Sequence, residues 1–316
     1  ILIDGNTACA LGAVYAGATV GAWYPITPAT SLMEGFKAFC EKYRVDKDTG
    51  ERRYAILQAE DELAAAGIVI GAGWAGARAF TNTSGPGISL MQEFLGLAYY
   101  TDIPAVFFDI QRCGPATGMP TRTQQADLMS LAYASHGDTK HPILFPANPG
   151  EAFELAVQSF DLADRLQTPV FVATDLDIGM NDWMVKRLEW DDSYRPDRGK
   201  VLDAAGLEKV KRFSRYLDVD GDGIAARTLP GVGGKGAYFV RGSGHDKHAG
   251  YTEDSDAYME VVDRLRRKFA HAATIVPKPV FTLQEGSDIG LVTIGGCDAA
   301  VPVSYTHLRA HETRED

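Results

Sequence analysis

Residues 6 to about 180 alternate between helix-like and strand-like segments, and this alternation constrains the fold more than any other feature. Helical periodicity or small-residue composition predicts helices over residues 6–17, 30–43, 60–76, 88–100, 123–134 and 149–165. Short apolar, β-prone runs predict strands over residues 19–24, 54–58, 78–83, 104–111, 142–145 and 169–174. Strands that alternate with helices build a parallel sheet with helices on both faces. We therefore predict an α/β fold with a doubly wound parallel sheet.

Four unusual loops follow predicted strands of this sheet. They are YPITP (24–28), QAEDE (58–62), TSGPG (83–87) and QRCGPATGMPT (111–121). In open α/β sheets, ligands bind beyond the carboxyl ends of the strands. Because all four loops are expected at that edge, the sequence predicts one ligand site there.

Composition and charge narrow the function classes. The chain has 316 residues, of which 45% are hydrophobic and 23% charged, as in ordinary globular proteins. Its net charge of -11 argues against nucleic acid or an anionic membrane as a partner. Apolar runs such as AVFF at 105–108 are too short to cross a bilayer, and no leader segment is apparent. We therefore expect a cytoplasmic protein.

The composition changes along the chain and suggests four parts. Residues 1–185 carry the alternating pattern, and residues 186–270 are rich in charge and glycine, ending in a basic amphipathic helix around VVDRLRRKFA. We expect little regular structure in the rest of 186–270, which would lie over the first domain or against a partner. Residues 271–301 look like the opening strands of a second α/β domain, and residues 302–316 form a tail.

The turn YPITP places Thr27 between Pro25 and Pro28. A proline fixes its own φ and pushes the preceding residue out of the helical region, so the turn is stiff and presents the Thr27 hydroxyl in a defined direction. The same residues also fit a plain helix start, with Thr30 or Ser31 as the capping residue. The turn alone leaves both interpretations open.

Charged residues in two of the loops also have two interpretations. Glu60, Asp61 and Glu62 can simply complement the positive end of a helix dipole. Arg112 can form an ion pair at a strand end, or its planar guanidinium can hold a carboxylate through two hydrogen bonds.

Taken together, these motifs resemble a known family. Glu62, followed by Ala-Ala and then Gly-Ala one helix face later, looks like the pyrimidine-binding half of thiamine diphosphate enzymes. With YPITPAT, TSGPGISLM and QRCGPATGMPTRTQQADL, this segment resembles the alpha subunit of the 2-oxoacid:ferredoxin oxidoreductases, most closely the 2-oxoglutarate type. The resemblance implies a pyrimidine-binding domain over 1–185 and the start of a transketolase C-terminal-like domain over 271–301.

The resemblance also implies roles for individual residues. Glu62 would hydrogen-bond the aminopyrimidine ring nitrogen and drive formation of the cofactor's ylid, while Thr27 and Arg112 would contact the 2-oxoacid carboxylate. These three are the catalytic candidates. The cofactor-binding candidates are Glu62, Pro28, Ser84, Gly85 and Gly87, and the substrate-binding candidates are Thr27, Arg112, Thr117, Thr121 and Arg122.

The implied reaction is the oxidative decarboxylation of a 2-oxoacid. The cofactor attacks the ketone, carbon dioxide leaves, electrons pass through an iron–sulfur cluster to ferredoxin, and coenzyme A takes the acyl group. The chain has four scattered cysteines and no asparagine after Asn181, so it lacks both cluster ligands and a metal–diphosphate motif. We expect thiamine diphosphate to be shared with a beta subunit that supplies Mg²⁺ and a [4Fe-4S] cluster. A gamma domain or subunit is the other expected partner.

The acidic segment DVDGDG at 218–223 suggests two kinds of metal site. A calcium loop beginning at Asp218 needs a glutamate at its twelfth position, which is Leu229 here. The GDG of the thiamine diphosphate metal motif needs a later asparagine, which is missing. We expect an acidic surface turn, with weak metal binding left open, and no metal site of the cofactor in this chain.

Several features depart from the family pattern. Ala29 and Ala116 stand where relatives often have serine, from which we expect small effects on packing. The resemblance stops near Val301, and we predict that residues 302–316 are a translated adapter without function. The beginning of the chain resembles the junction with a fused gamma domain. Two alternatives stay open: the same reaction on pyruvate or a branched 2-oxoacid, and a non-catalytic scaffold subunit.

Overall fold

A six-stranded sheet forms the centre of the structure, a computed structural model that describes residues 1–282, 286 and 290–312. The strands are β1 (Leu2–Ile3), β2 (Val20–Trp23), β3 (Ala55–Gln58), β4 (Ala79–Thr83), β5 (Ala105–Gln111), β6 (Ile143–Leu144), β7 (Pro169–Asp175) and β8 (Trp183–Met184). The helices are α1 (Gly5–Tyr15), α2 (Thr30–Tyr43), α3 (Glu62–Trp74), α4 (Gly85–Leu90), α5 (Gln92–Tyr100), α6 (Leu128–Ala132), α7 (Pro149–Leu166), α8 (Leu176–Met180), α9 (Ala204–Lys209), α10 (Ser255–Ile275) and α11 (Val301–Glu312).

The sheet has the order β3-β2-β4-β5-β7-β6, and every neighbouring pair is parallel. Its two faces are covered by different helices, because successive side chains of a strand point to opposite faces. Phe108 of β5 lies in a core with α1, α2 and α7, whereas its neighbour Phe107 lies in a second core with α3 and α5. The prediction of a doubly wound parallel α/β sheet is therefore confirmed.

The carboxyl ends of the six parallel strands share one edge, which we call the carboxyl edge; the opposite one is the amino edge. Trp23 pairs with Gln58, Thr83 with Asp109, and Gln111 with Asp175. The four unusual loops start directly after these positions, so they lie side by side, as the sequence predicted.

Several predicted helices differ from the observed ones. The helix expected over 88–100 is two helices, α4 and α5, which meet at Met91. The helix expected over 123–134 contracts to α6, because residues 123–127 belong to the loop that returns from β5. Helix α2 begins as predicted, but its N-cap is Ala29 and carries no side-chain hydrogen bond. The interpretation of Thr30 or Ser31 as a capping residue is therefore wrong.

Residues 186–275 pack over the amino edge through buried charges. Arg227 Nη2 lies 2.6 Å from Asp164 Oδ1 of α7, and Arg264 Nη2 lies 2.7 Å from Asp102 Oδ2, just before β5. The basic helix predicted around VVDRLRRKFA is present as α10, and it continues past residue 270 to Ile275. Most of the segment before it is irregular, as expected.

The chain after α10 differs from expectation. In the described part of 271–301, the end of α10 is followed by irregular chain and a 3₁₀ turn, Gly295–Ala300, but by no strand. The opening strands of a second α/β domain are therefore not seen there, and the division of the chain into four parts stays a prediction. Residues 301–312 form α11. The predictions for 271–301 and 302–316 also include residues that lie outside the described ones, namely 283–285, 287–289 and 313–316.

Two smaller expectations concern the cysteines and the membrane. Cys9 and Cys40 are buried as expected for apolar thiols, Cys113 is half-buried, and Cys297 is exposed. Among the described helices, none combines the length and apolar character that crossing a bilayer requires.

Candidate active site

Three consecutive backbone carbonyls, at the end of the YPITP turn and in the residue after it, are fixed by side chains from three other parts of the chain. The hydrogen bonds run from Arg112 Nη1 to Thr27 O (2.6 Å), from Asn6 Nδ2 to Pro28 O (2.8 Å), and from Asn82 Nδ2 to Ala29 O (2.6 Å). Asn6 also donates to Ser31 Oγ at 2.9 Å, so α1 holds the first turn of α2. The turn is rigid because it is bonded from three sides, in addition to its prolines.

Thr27 itself is exposed at the carboxyl edge, whereas Pro28 is buried. The backbone of Thr27, not its hydroxyl, bonds to Arg112. The hydroxyl makes no hydrogen bond within the described residues, so it is available to a ligand at this edge.

Arg112 is buried and bridges two loops. Its Nη1 donates to Thr27 O, and its Nη2 donates to Thr117 O at 2.9 Å. Its Nε is buried without a partner, and no carboxylate oxygen of the described residues lies within 4.0 Å of the guanidinium. The interpretation of Arg112 as a structural ion pair is therefore wrong. Its charge is left for another anion.

Glu62 is the first residue of α3 and is 7% exposed. Its neighbour Asp61 caps the helix, because the Asp61 carboxylate accepts from Ala64 N at 2.7 Å. The acidic first turn is thus divided: Asp61 satisfies the helix end, and Glu60 is exposed. Within the described chain, the Glu62 carboxylate has no hydrogen-bond donor, so capping does not explain why it is buried.

The TSGPG loop packs directly against Glu62. A Cβ at Gly87 would lie 1.9 Å from Thr83 Oγ1 and 2.9 Å from Glu62 Cγ, so only glycine allows this approach. Ser84, the N-cap of α4, is fully buried, and its hydroxyl has no partner. Glu62, Ser84 and Gly87 therefore form one small group of buried atoms in which two polar side chains lack protein partners.

Gly85 lies against an acidic pair that the sequence analysis did not identify. A Cβ at Gly85 would lie 2.3 Å from Asp127 Oδ1. Asp127 is within hydrogen-bonding reach of Asp109, which is fully buried in β5. Burial raises the pKa of Asp109 well above its usual range, and the neighbouring Asp127 raises it further.

The remaining candidates lie on the outer part of the loop after β5. Thr117 meets Arg112 only through its backbone oxygen. Thr121 and Arg122 are exposed, and the Arg122 guanidinium bonds to Thr121 O. The structure therefore brings Thr27, Arg112 and Thr117 together, but among the described residues no side-chain hydrogen bond joins Thr121 or Arg122 to them. Ala116, also in this loop, is exposed and has φ of 55°.

Asn6 and Asn82 were also missed. Asn6 stands in an otherwise small and apolar helix, and Asn82 lies in a strand whose residues are all buried. A polar residue at such a position needs a hydrogen-bond partner. This signal was available in the sequence, but it did not indicate the partner.

The acidic segment at 218–223 brings Asp218, Asp220 and Asp222 close together. The Lys200 ammonium occupies the space among its oxygens: it donates to both Asp220 oxygens at 2.7 and 2.8 Å and to Asp222 Oδ1 at 2.8 Å. A fourth bond, of 2.9 Å, goes to Ile224 O. The segment is an acidic turn in which Lys200 pairs with Asp220 and Asp222 and Arg267 pairs with Asp218, and it lies apart from the carboxyl edge.

Comparison with known proteins identifies similar sequences. Residues 11–196 match the family described as "Pyruvate flavodoxin/ferredoxin oxidoreductase, thiamine diP-bdg". The 2-oxoglutarate synthase subunit KorA of Methanothermobacter thermautotrophicus is 33% identical over 314 residues, which are 99% of this chain and 78% of that protein. The 2-oxoacid:ferredoxin oxidoreductase 1 subunit alpha of Aeropyrum pernix is 36% identical over 316 residues, which are 99% of this chain and 47% of that protein.

A solved structure has the same fold. It is the 2-oxoglutarate:ferredoxin oxidoreductase from Magnetococcus marinus with 2-oxoglutarate, coenzyme A and succinyl-CoA bound; it is 27% identical with a TM-score of 0.88, over 98% of this chain and 52% of that one. The chain spans about half the length of this protein and of the first archaeal relatives that it matches, such as the 2-oxoacid:ferredoxin oxidoreductase 1 subunit alpha of Sulfurisphaera tokodaii, with 43% covered.

Proposed function

Because the chain belongs to the thiamine diphosphate-binding family of the pyruvate flavodoxin/ferredoxin oxidoreductases, we propose that it forms the pyrimidine-binding half of a 2-oxoacid:ferredoxin oxidoreductase active site. The favoured reaction is oxidative decarboxylation of 2-oxoglutarate to an acyl-CoA and carbon dioxide, with electrons passed to ferredoxin. Two relatives favour this substrate: the subunit KorA and the Magnetococcus marinus enzyme are both named for 2-oxoglutarate.

The observation that carries the proposal is Glu62, a residue that is 7% exposed and whose carboxylate has no donor within the described chain. A buried carboxylate normally accepts hydrogen bonds, and leaving it without one costs free energy. A ring nitrogen that shares one proton with the carboxyl group, as in a protonated aminopyrimidine, removes that cost. The buried hydroxyl of Ser84 and the close approach at Gly87 provide a second polar contact and a surface without side chains beside it. These residues therefore fit the pyrimidine end of thiamine diphosphate.

This chain's own contribution to catalysis is to bind, orient and hold a proton. When bound, thiamine diphosphate supplies the carbon nucleophile for the ketone and the electron sink for loss of carbon dioxide. Glu62 holds the proton at the aminopyrimidine nitrogen, and the backbone of Gly87 packs against its side chain. Ser84, Gly85 and Pro28 line the cofactor in this proposal.

The substrate end of the site rests on Arg112 and Thr27. Arg112 is held by two carbonyls, and it has a free charge that can pair with the 2-oxoacid carboxylate. The exposed hydroxyl of Thr27 donates to the same carboxylate. Thr117, Thr121 and Arg122 lie on the loop that would cover it, and their side chains are the supporting contacts.

An uncovered apolar face supports a beta subunit as the partner. Helix α3 has no charged residue after Glu62, yet Leu63 and Trp74 are exposed, and a Cβ at Gly71 would meet no atom within 4 Å. The adjacent edge strand β3 exposes Leu57. A helix that is apolar on all sides is normally buried. We propose that the beta subunit covers this face and brings Mg²⁺, the diphosphate end of the site and a [4Fe-4S] cluster.

Further partners in this proposal are coenzyme A, ferredoxin and a gamma domain or subunit. The cytoplasm is the proposed location, since ferredoxin and coenzyme A are used there. Residues 302–316 take no part in the site.

Viologen reduction tests the proposed function. The complete protein is produced with the beta subunit encoded beside it and is given coenzyme A with 2-oxoglutarate, pyruvate or a branched 2-oxoacid. We expect reduction with 2-oxoglutarate, and an activity about 100-fold lower in Glu62→Gln, because the amide cannot accept the proton that a carboxylate holds.

Glu60→Gln is the matched control, since Glu60 is exposed two residues earlier, and it should keep full activity. Reduction with pyruvate alone would support the proposed reaction but contradict 2-oxoglutarate as the substrate. No reduction with any 2-oxoacid, from a folded complex, would favour a scaffold subunit instead.

A further inference from the structure

The base of the loop formed by residues 112–127 contains two carboxyl groups within hydrogen-bonding reach of each other, Asp109 and Asp127. Asp109 lies in β5, opposite Thr83 of β4. Asp127 is the last residue before α6. The pair therefore joins the strand that precedes the loop to the residue that ends it.

The hydrogen bonding of this pair is incomplete as long as both groups are ionised. Neither oxygen of Asp109, nor Oδ2 of Asp127, has a donor among the described residues, although all three atoms are buried. Two adjacent buried carboxylates repel each other, and each lacks hydration. One proton between them removes one charge and supplies the missing donor.

The surroundings of the two groups place that proton on Asp109. Asp109 is fully buried, and no cation among the described residues is bonded to it. Burial also raises the pKa of Asp127, but its contact with Asp109, the Arg112 charge and the Gly85 N–H all favour its ionised form. Asp109 is therefore the donor and Asp127 the acceptor.

The position of Asp127 links the pair to Arg112. Asp127 N donates to Gln111 Oε1 at 3.0 Å, and Gln111 Nε2 donates to Thr174 O at 3.1 Å. Arg112 follows Gln111 directly and interacts with the Asp127 charge. Loss of the contact between Asp109 and Asp127 would thus remove one of the bonds that hold the loop at its base.

We propose that Asp109 is protonated at neutral pH and donates to Asp127, and that this acid pair positions Arg112 and the loop of residues 112–127. The importance of Arg112 rests on the proposed function, whereas the protonation of Asp109 does not. Asp109 and Asp127 are positioning residues, because they act through Arg112.

The other charged groups nearby do not change this assignment. Arg112 is the cation that faces Asp127. On β7, Asp175 uses Oδ1 to accept from Ile178 N and Oδ2 to accept from Gln125 Nε2, so it is satisfied separately. The first turn of α4, which contacts Asp127 through Gly85, has no titratable residue.

Infrared spectroscopy tests the protonation directly. Spectra of the complete protein with its partner subunit are recorded at neutral pH for wild type and Asp109→Asn, in water and in heavy water. We expect wild type to show the C=O stretch of one protonated carboxyl that is lost in the variant and shifts on deuteration. A difference spectrum that contains only carboxylate bands would overturn the proposal, whatever the activity of the protein.

Two substitutions of Asp109 test the positioning role. Asn keeps a neutral donor in place of the acid, whereas Leu has a similar size and no donor. We expect Asp109→Leu to raise the KM for the 2-oxoacid at least tenfold and to speed amide hydrogen exchange in residues 112–127. Asp109→Asn should restore both values to near those of wild type, because its amide group donates a hydrogen bond to Asp127 without a titratable proton.

Equal losses in the Asn and Leu variants would contradict the positioning role. If Asp109→Leu does not fold, the infrared spectrum of wild type and the KM and exchange rates of Asp109→Asn still test the proposal, because Asn conserves the shape and the hydrogen bond. An inactive complex would refute the proposed function, while the exchange and infrared results would stand.

Discussion

Buried carboxylates at the two edges of the parallel sheet differ in whether cations bind them. At the amino edge, Asp164 and Asp102 are each 2% exposed and bonded by cations through both oxygens. At the carboxyl edge, Asp109 is 0% exposed and Glu62 is 7% exposed, yet neither has a basic partner in the described chain. Buried carboxylates are therefore paired with cations at the amino edge but not at the carboxyl edge.

The buried carboxylates at the amino edge are fully paired with cations, and these pairs stabilise the structure. Asp164 accepts from Arg78 Nε at 2.9 Å and from Arg227 Nη2 at 2.6 Å. Asp102 accepts from Arg264 and Lys268 of α10. These bonds attach residues 186–275 to the sheet. At the carboxyl edge, the incomplete pairing leaves groups available to ligands, which is typical of functional sites.

The largest effect is expected on breaking the pairing at the amino edge. Asp164→Ala removes a buried carboxylate, so that Arg227 loses its carboxylate partner and Arg78 keeps only Asp161. We expect a loss of about 3–5 kcal/mol in the free energy of unfolding. Urea unfolding measures it. Glu208→Ala is the control: it breaks an exposed pair with Lys235, and the expected loss is below about 1 kcal/mol. Similar losses in the two variants would contradict the assignment.

A smaller effect on stability, but a large one on activity, is expected at the carboxyl edge. Arg112→Gln removes the charge that faces the proposed substrate, and a hydrogen bond to a charged group contributes about 1.5–3 kcal/mol. We therefore expect KM for the 2-oxoacid to rise about 10- to 100-fold in steady-state assays, with less destabilisation than in Asp164→Ala.

Arg122→Gln is the comparison for Arg112→Gln. Its guanidinium is exposed and bonds only to neighbouring Thr121, so the change in KM should be smaller. A larger change in KM for Arg122→Gln would indicate that the substrate is contacted by the outer part of the loop.

The smallest expected effect is on how the free energy of unfolding changes with pH, and its sign should differ between the two edges. Burial alone would raise the pKa of Asp102, but Arg264, Lys268 and Arg215 outweigh it and lower the pKa to about 2. Because the folded protein binds this proton less tightly than the unfolded chain does, the contribution is present above about pH 4 and lost as the pH falls towards 2, by about 2 kcal/mol.

Asp109 should have the opposite sign. Its pKa is raised by burial, so the folded protein keeps the proton longer than the unfolded chain, and stability is lost as the pH rises towards the folded pKa. Unfolding measured across acid and alkaline pH in wild type, Asp102→Asn and Asp109→Asn separates the two contributions. The acid loss should be absent only from Asp102→Asn; if it persists there, another carboxylate causes it.

The sequence predicted the fold and the location of the site better than it predicted their details. Helix and strand periodicity gave the order of elements, and the loops at 24–28, 58–62, 83–87 and 111–121 were placed at one edge. The helix expected over 123–134 failed because residues before Leu128 close the loop instead. The strands expected in 271–301 are not seen in its described part, although apolar residues there resemble a strand.

The sequence by itself determined which residues carry charge, which segments form the sheet, and the edge at which the strands end, because these depend on local periodicity and on the direction of parallel strands. Only the tertiary structure decided which charges are paired. The three bonds that fix the YPITP turn join residues 22, 53 and 85 positions apart. Such separations leave no periodic signal, so Asn6, Asn82, and the pair of Asp109 and Asp127 became visible only when the chain was folded.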